Sequence, residues 1–120
     1  MLSFADFVYC TPDAIFFTPF MQSFQSPEAG STFYFPRIFG PKLANEIILT
    51  DKMMSADDAH KSGFVNQILT DIAVPGKEEY FDILKLPCIP KLLSNSVETM
   101  VTAKRLLNQG VNKEAILRTF

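Results

Sequence analysis

The chain has 120 residues, of which 48% are hydrophobic, and it carries a net charge of -2. This length suits one domain with a packed core. The small charge gives no reason to expect nucleic acid as a partner. No apolar run reaches the roughly 20 residues of a membrane span, and no basic signal segment opens the chain. A soluble intracellular protein is therefore expected.

Two short strands are predicted at the start of the chain. "LSFADFVYC", residues 2–10, and "AIFFT", residues 14–18, are apolar and rich in strand formers, with a turn at "TPD" between them. The chain thus opens in an apolar strand pattern that would present an unpaired edge, and it closes at Phe120 in a helical one. Domains usually begin and end in polar segments. We therefore expect an upstream part, a downstream part or both to complete the domain.

A helix is predicted to start at Ser26, a good N-cap residue that is followed by Pro27 at the first helical position. Glu28 then lies in the first turn, where it complements the positive end of the helix dipole. The helix is expected to end near Pro36 or Gly40. On these residues alone, Glu28 is a helix cap.

An alternation of helix and strand is predicted from residue 41 to residue 69. "PKLANEIILT", residues 41–50, has apolar residues at helical spacing. After the extended "DKMM", Ser55 is the N-cap of a second helix and Gly63 its C-cap. "FVNQIL", residues 64–69, follows as a strand. Such an alternation is typical of an α/β fold.

A loop and two helices are predicted in the last third of the chain. "TDIAVPGKEE", residues 70–79, is polar and rich in turn residues, which favours a loop. "SVETMVTAKRLLNQG", residues 96–110, and "NKEAILRTF", residues 112–120, have apolar residues at helical intervals.

Neither a metal site nor a disulfide is predicted. Cys10 and Cys88 lie far apart in sequence without C-x-x-C spacing, so they are interpreted as free buried thiols. His60 is the only histidine and is expected at the surface. The sequence contains neither a phosphate-binding loop nor an H-E-x-x-H motif.

The order of several motifs resembles a known family. "QSPEAGST" is followed by "FPRIFG" and by "ANEIILTDKMMSADDAHKSGFVNQIL". This order resembles the second half of the crotonase (enoyl-CoA hydratase/isomerase) superfamily, and most of all its delta-3,delta-2-enoyl-CoA isomerases. The resemblance implies an α/β fold, the C-terminal portion of a crotonase-type (ClpP/crotonase-like) ββα spiral with trailing helices. Residues 1–72 would be the second half of the core and residues 73–120 a C-terminal helical segment, both in one incomplete domain.

The resemblance also implies enoyl-CoA isomerase activity of fatty-acid β-oxidation. Moving a double bond from C3–C4 to C2–C3 of an acyl thioester requires a base at C2 and an acid at C4, and one carboxylate can do both. The isomerases carry that carboxylate at the position of Glu28. Hydratases use two glutamates, and the second would fall at about Phe20. A phenyl ring cannot hold or activate a water, so the resemblance favours isomerisation over hydration.

An apolar pocket for the acyl chain is expected around Glu28. The small residues from Ala29 to Thr32 would let the backbone and the acyl chain approach closely. The candidate substrate-binding residues are Phe16, Phe17, Phe20, Met21, Phe24 and Phe33. For each of the aromatic residues, simple core packing is the alternative.

In the family, the oxyanion-hole donors and most CoA-binding loops come from the preceding half, so the resemblance assigns none of them to this chain. The expected ligand is a coenzyme A thioester, with no cofactor. The expected partners are copies of the chain in a trimer or hexamer, or a complementing subunit, in a peroxisome or mitochondrion. The competing hypothesis is an inactive structural or interaction subunit of a larger complex, in which Glu28 is only a helix cap.

We predict that these 120 residues alone bind octanoyl-CoA poorly and show no measurable isomerase activity. The reason is that the basic residues form no cluster that could replace the family's CoA contacts. They include Arg37, Lys42, Lys91, Lys104 and Arg105. Titration calorimetry checks this prediction, and micromolar binding by a verified monomer would contradict it.

Overall fold

The computed structural model describes residues 2–74 and 77–109, which fall into two compact units, 2–70 and 71–109. The helices of the described residues are α1 (Ser31–Phe39), α2 (Pro41–Thr50), α3 (Ala56–Lys61), α4 (Cys88–Ser94) and α5 (Val97–Gln109). The strands are β1 (Tyr9–Cys10), β2 (Ile15–Phe16), β3 (Met54–Ser55), β4 (Gln67–Ile68), β5 (Ala73–Val74) and β6 (Lys77–Phe81). No helix in this part of the chain has the length and apolar character that crossing a membrane requires.

Short strand pairs hold the first unit together. β1 pairs in parallel with β4, and β2 pairs antiparallel with β3. Beside the first pair, the Val8 amide donates to Asn66 Oδ1 and the Asn66 amide donates to the Val8 carbonyl, both at 2.7 Å. The two strands predicted at the start of the chain therefore exist, but each is only two residues long and pairs with a distant segment.

The long apolar strand predicted for residues 2–10 is wrong, although β1 remains an edge strand, since β4 is its only strand partner among the described residues. Leu2–Phe4 form a 3₁₀ turn instead of a strand, and Tyr9–Cys10 are hydrogen-bonded to β4. Val8 is buried and Tyr9–Cys10 form a short strand pair, whereas Leu2, Phe4 and Phe7 stay exposed. The segment therefore presents exposed apolar side chains but no long flat strand.

The core of the first unit lies between α1, α2, α3 and the strands. α2 buries Ala44, Ile47 and Ile48 on the face that its spacing predicts, and α3 buries Ala56 and Ala59. The buried core cluster consists of Val8, Phe35, Ala44, Ile47, Ile48, Met54, Ala59 and Val65. The helix–strand alternation predicted between residues 41 and 69 is thus confirmed, although β4 is shorter than expected.

Capping explains the bounds of α3. Ser55 Oγ accepts a hydrogen bond from the Asp58 amide at 3.1 Å, which confirms the prediction that Ser55 is the N-cap. At the other end Ser62 is the C-cap, and Gly63 follows it with φ +82°. Gly63 therefore provides the left-handed residue just past the helix end.

The predicted start of α1 at Ser26 is wrong. Ala29 and Gly30 have φ of 52° and 72°, and residues in the left-handed region cannot belong to a right-handed helix. The chain therefore turns just before Ser31, where α1 begins. Pro27 is not at a helical position.

The late start of α1 also changes the position of Glu28. Its backbone carbonyl accepts a hydrogen bond from the Ser31 amide at 3.0 Å, which closes the turn before the helix. Glu28 thus lies outside the first helical turn, and the cap geometry predicted for it is wrong. At its C-terminal end α1 continues past Pro36 and ends at Gly40, which is the later of the two predicted limits.

The second unit begins with an antiparallel pair, β5 and β6. The loop predicted for residues 70–79 is therefore wrong at 73–74 and 77–79, which belong to β5 and β6, and Pro75 and Gly76 lie outside the described residues. α5 confirms the helix predicted from residue 96, α4 has no counterpart in the prediction, and the helix predicted for residues 112–120 lies outside the described residues.

Gly30→Ala is predicted to destabilise the protein more than Gly63→Ala. Both positions have positive φ, so each substitution adds about 1–2 kcal/mol of backbone strain. A Cβ at Gly30 would also lie 3.2 Å from Tyr34 and 3.3 Å from Phe4, whereas nothing lies within 4 Å of a Cβ at Gly63. We expect an additional loss of about 1 kcal/mol for Gly30→Ala from these ring contacts. Urea unfolding measures both variants, and equal losses would contradict the prediction.

Candidate active site

The first unit contains a cavity of about 180 Å³. One wall of the cavity is apolar and comes from α1, α2, β3 and the segment after α3. The residues of this wall are Phe35, Phe39, Ile47, Met54 and Phe64. Phe64 packs edge-on against Phe16, with ring centroids 5.5 Å apart. The ring centroids of Phe64 and Phe39 are 5.2 Å apart. These aromatic contacts fix the shape of the cavity.

Glu28 lies on the lining of this cavity. It is the only ionisable side chain among the described lining residues, and it is exposed at the cavity mouth. The turn made by Ala29 and Gly30 holds its backbone, because the Glu28 carbonyl is bonded to the start of α1. No described residue forms a hydrogen bond with the Glu28 carboxylate, so its oxygens remain available to a ligand.

Three of the six predicted substrate-binding residues lie at the cavity. Phe16, Phe17 and Phe20 are on its lining together with Glu28. Phe16 and Phe20 are half-buried and also pack against the core cluster. The candidate acid and three aromatic residues, all assigned from sequence, therefore come together in space.

The other three predicted residues lie away from this cavity. Phe24 is 99% exposed, and Met21 is also exposed. Phe33 is buried, but it packs against Tyr34 with centroids 5.2 Å apart, and the Arg37 guanidinium lies 3.6 Å from its ring centre. The structure thus places Phe33 in a cation–π contact on another face of α1.

Asp51 positions the turn that carries Phe20. Its carboxylate accepts hydrogen bonds from the Met21 amide at 3.0 Å and from the Gln22 amide at 2.7 Å. Asp51 is buried and is the C-cap of α2, with φ 53°. No role was predicted for Asp51 from the sequence. Its sequence signal is an aspartate directly after a helix, since aspartate tolerates the left-handed region and bonds nearby amides.

Two buried hydroxyls also lie on the cavity lining, and neither was predicted from the sequence. Thr18 Oγ1 and Ser31 Oγ are shielded from solvent and form no hydrogen bond with any described residue. Ser31 is 4% exposed. A buried hydroxyl without a partner costs about 1–3 kcal/mol. Sequence reasoning treated Ser31 only as a small residue, because nothing local shows that a hydroxyl lacks a partner.

The remaining reactive side chains do not form a second site. Cys10 and Cys88 are free and only half-buried, so the prediction of buried thiols is wrong. Burial raises the pKa of the Cys10 thiol, and the charge of Asp13 adds to this effect. His60 is exposed, and its Nδ1 donates to the Val65 carbonyl at 3.0 Å. Within the described ranges, no group of His, Cys, Asp and Glu is arranged to hold a metal ion.

The sequence profile described as enoyl-CoA hydratase/isomerase matches residues 1–118 of the chain. The chain belongs to the enoyl-CoA hydratase/isomerase family. Human "Enoyl-CoA delta isomerase 2" is 33% identical over 117 residues, which cover 95% of this chain and 29% of that protein. Mouse "Enoyl-CoA delta isomerase 3, peroxisomal" is 39% identical over 71 residues, which cover 59% of this chain and 22% of that protein.

A solved structure of this family has the same fold. The enoyl-CoA hydratase/isomerase from Pseudoalteromonas atlantica superposes with a TM-score of 0.80 and 26% identity, over 98% of this chain and 44% of that chain. The expected α/β fold of crotonase type is thus confirmed. The chain spans less than a third of the two curated relatives. Other relatives are named as a 4-chlorobenzoyl coenzyme A dehalogenase and a carnitinyl-CoA dehydratase, so the family alone leaves the reaction open.

Asp51→Ala is predicted to lower the free energy of unfolding by about 2–4 kcal/mol, because two backbone amides lose a charged acceptor and alanine is strained at positive φ. Asp51→Asn keeps one acceptor oxygen, and asparagine tolerates positive φ. This variant should therefore lose about half as much free energy of unfolding.

The control is Asp57→Ala, which removes an exposed ion pair with Lys61 and one acid from the first turn of α3 and should have a smaller effect. Urea unfolding of the three variants gives the comparison. An Asp51→Ala protein as stable as the control would show that this carboxylate does not hold the turn.

Proposed function

We propose that the protein is an enoyl-CoA isomerase that converts a 3-enoyl-CoA to the 2-trans isomer, with Glu28 as the proton shuttle. The observation that carries this proposal is the single carboxylate on the lining of an otherwise apolar cavity. The names of the human and mouse relatives, both enoyl-CoA delta isomerases, support the same reaction.

The proposed mechanism needs one residue with two protonation states. The Glu28 carboxylate removes a proton from C2 of the thioester, and the electron pair of that C–H bond moves into the enolate. The protonated Glu28 then returns the proton to C4, while the double bond moves to C2–C3. The reaction is balanced, because the same proton leaves and returns and no redox partner takes part.

The cavity wall excludes water and positions the acyl chain. Phe16, Phe17 and Phe20 offer an apolar surface to the acyl chain, and Ala29 on the lining leaves room near Glu28. Because Glu28 is exposed in the free chain, the bound acyl chain has to cover it to keep the proton from water. The enolate oxygen needs hydrogen-bond donors, and no described residue is assigned to that role.

Phe20 argues against hydration. Adding water to a 2-enoyl thioester requires a group that holds and activates the water, and hydratases supply a second glutamate at about this position. Here an aromatic ring lies on the lining, and the described lining residues include no second acid. An apolar wall favours retention of a proton over delivery of a water, which supports the isomerase.

The proposal extends to the substrate, the assembly and the location of the protein. The substrate is an acyl-CoA without a separate cofactor, and the protein assembles with copies of itself as a trimer or hexamer. A peroxisomal or mitochondrial location is supported by the name of the mouse relative and by the resemblance to isomerases of these organelles.

Glu28→Gln is predicted to lower the isomerisation rate by about 10²–10⁴-fold, because an amide cannot accept the C2 proton. The assay follows formation of the conjugated 2-trans-enoyl thioester from a 3-enoyl-CoA. It uses the protein at its full natural length, or a chimera with the upstream half of a related enzyme.

The control for this assay is Glu46→Gln on α2, an exposed glutamate paired with Lys52 and outside the cavity lining. This variant should keep full activity. If Glu28→Gln also keeps it, the assignment of Glu28 is wrong. If the wild-type protein is folded but inactive, and purifies from its native source within a large complex, the interaction-subunit hypothesis is correct instead.

A further inference from the structure

We propose that the hydroxyls of Thr18 and Ser31 recognise an uncharged oxygen on the acyl chain of the substrate. The preferred ligands are then acyl-CoA thioesters with a hydroxyl or oxo group beyond C4, not unsubstituted chains. The identity of the ligand as an acyl-CoA rests on the proposed function, whereas the recognition of an oxygen rests on the two hydroxyls.

The position of the hydroxyls supports a role in binding. Both residues lie on the lining of the cavity that also contains Glu28, and neither oxygen has a hydrogen-bond partner among the described residues. Ser31 begins α1 and Thr18 follows β2, so two separate elements bring polar atoms to one apolar space. In a core that only needs packing, alanine and valine would fill these positions without an unpaired group.

The chemistry of the cavity selects a neutral oxygen. A hydroxyl both donates and accepts, so it pairs equally well with an alcohol or a carbonyl. The described lining residues include no Lys, Arg or His that would bind a carboxylate, and Glu28 would repel one. A plain methylene chain would leave both hydroxyls unpaired, and sites that contain such groups discriminate against ligands that lack the matching oxygen.

The test is a binding experiment with the protein at its full natural length. The ligands are octanoyl-CoA and four saturated octanoyl-CoA derivatives that carry one hydroxyl at C5, C6, C7 or C8. We expect one of the four to bind about tenfold more tightly than octanoyl-CoA in titration calorimetry.

Ser31→Ala and Thr18→Val are each expected to reduce this preference to about threefold or less, since each removes one of the two partners. Neither should lower the melting temperature, because each removes an unpaired buried oxygen. The matched controls are Ser23→Ala and Thr70→Val, which change exposed residues outside the cavity lining and should leave the preference unchanged.

Equal binding of all five ligands by the wild-type protein would overturn the proposal, and so would a preference that survives in both variants. Failure to bind any of the ligands would overturn it as well. Saturated ligands have no double bond to move, so these binding results are independent of the Glu28→Gln assay. An oxygen preference in a protein without isomerase activity would refute the proposed function alone.

Discussion

The hydrogen bonds between Asp51 and the amides of Met21 and Gln22 connect the end of α2 to the turn after β2. The arrangement of the cavity depends on this connection. α2 packs against α1 and provides Ile47 to the cavity wall, while the turn provides Phe20. Because Asp51 joins segments about 30 positions apart in sequence, two walls of the cavity are held in fixed positions relative to each other.

The start of α1 is the second constraint on the cavity. Two consecutive left-handed residues, Ala29 and Gly30, direct the chain from Glu28 into the helix within a single turn. The same turn places Ser31 in the buried first position of α1. The positive φ angles of Ala29 and Gly30 thus bring the Glu28 carboxylate and the buried Ser31 hydroxyl to one lining, and a continuous helix does not.

Local patterns predicted the middle of the fold well. α2 follows from apolar spacing, and α3 follows from Ser55, whose cap bond reaches only three residues ahead. The start of α1 could not be predicted in this way, because Ala29 has no side-chain feature that favours positive φ. It was also impossible to predict that Phe20 and not Phe24 lines the cavity, since the turn that carries Phe20 is held by Asp51, about 30 positions away in sequence. Glu28 was found by resemblance, and the unpaired hydroxyls only by structure.

A comparison of two carboxylates explains why the corrected helix start supports chemistry at Glu28. Asp51 is buried and has both oxygens engaged by backbone amides, so its carboxylate holds the turn and is not offered to a ligand. A glutamate in the first turn of a helix would approach the same condition. Glu28 instead precedes the turn, its carboxylate accepts no hydrogen bond from a described residue, and it lies exposed on the lining of a largely apolar cavity. The position that excludes the cap interpretation is therefore the one that leaves a carboxylate free to accept a proton from a ligand.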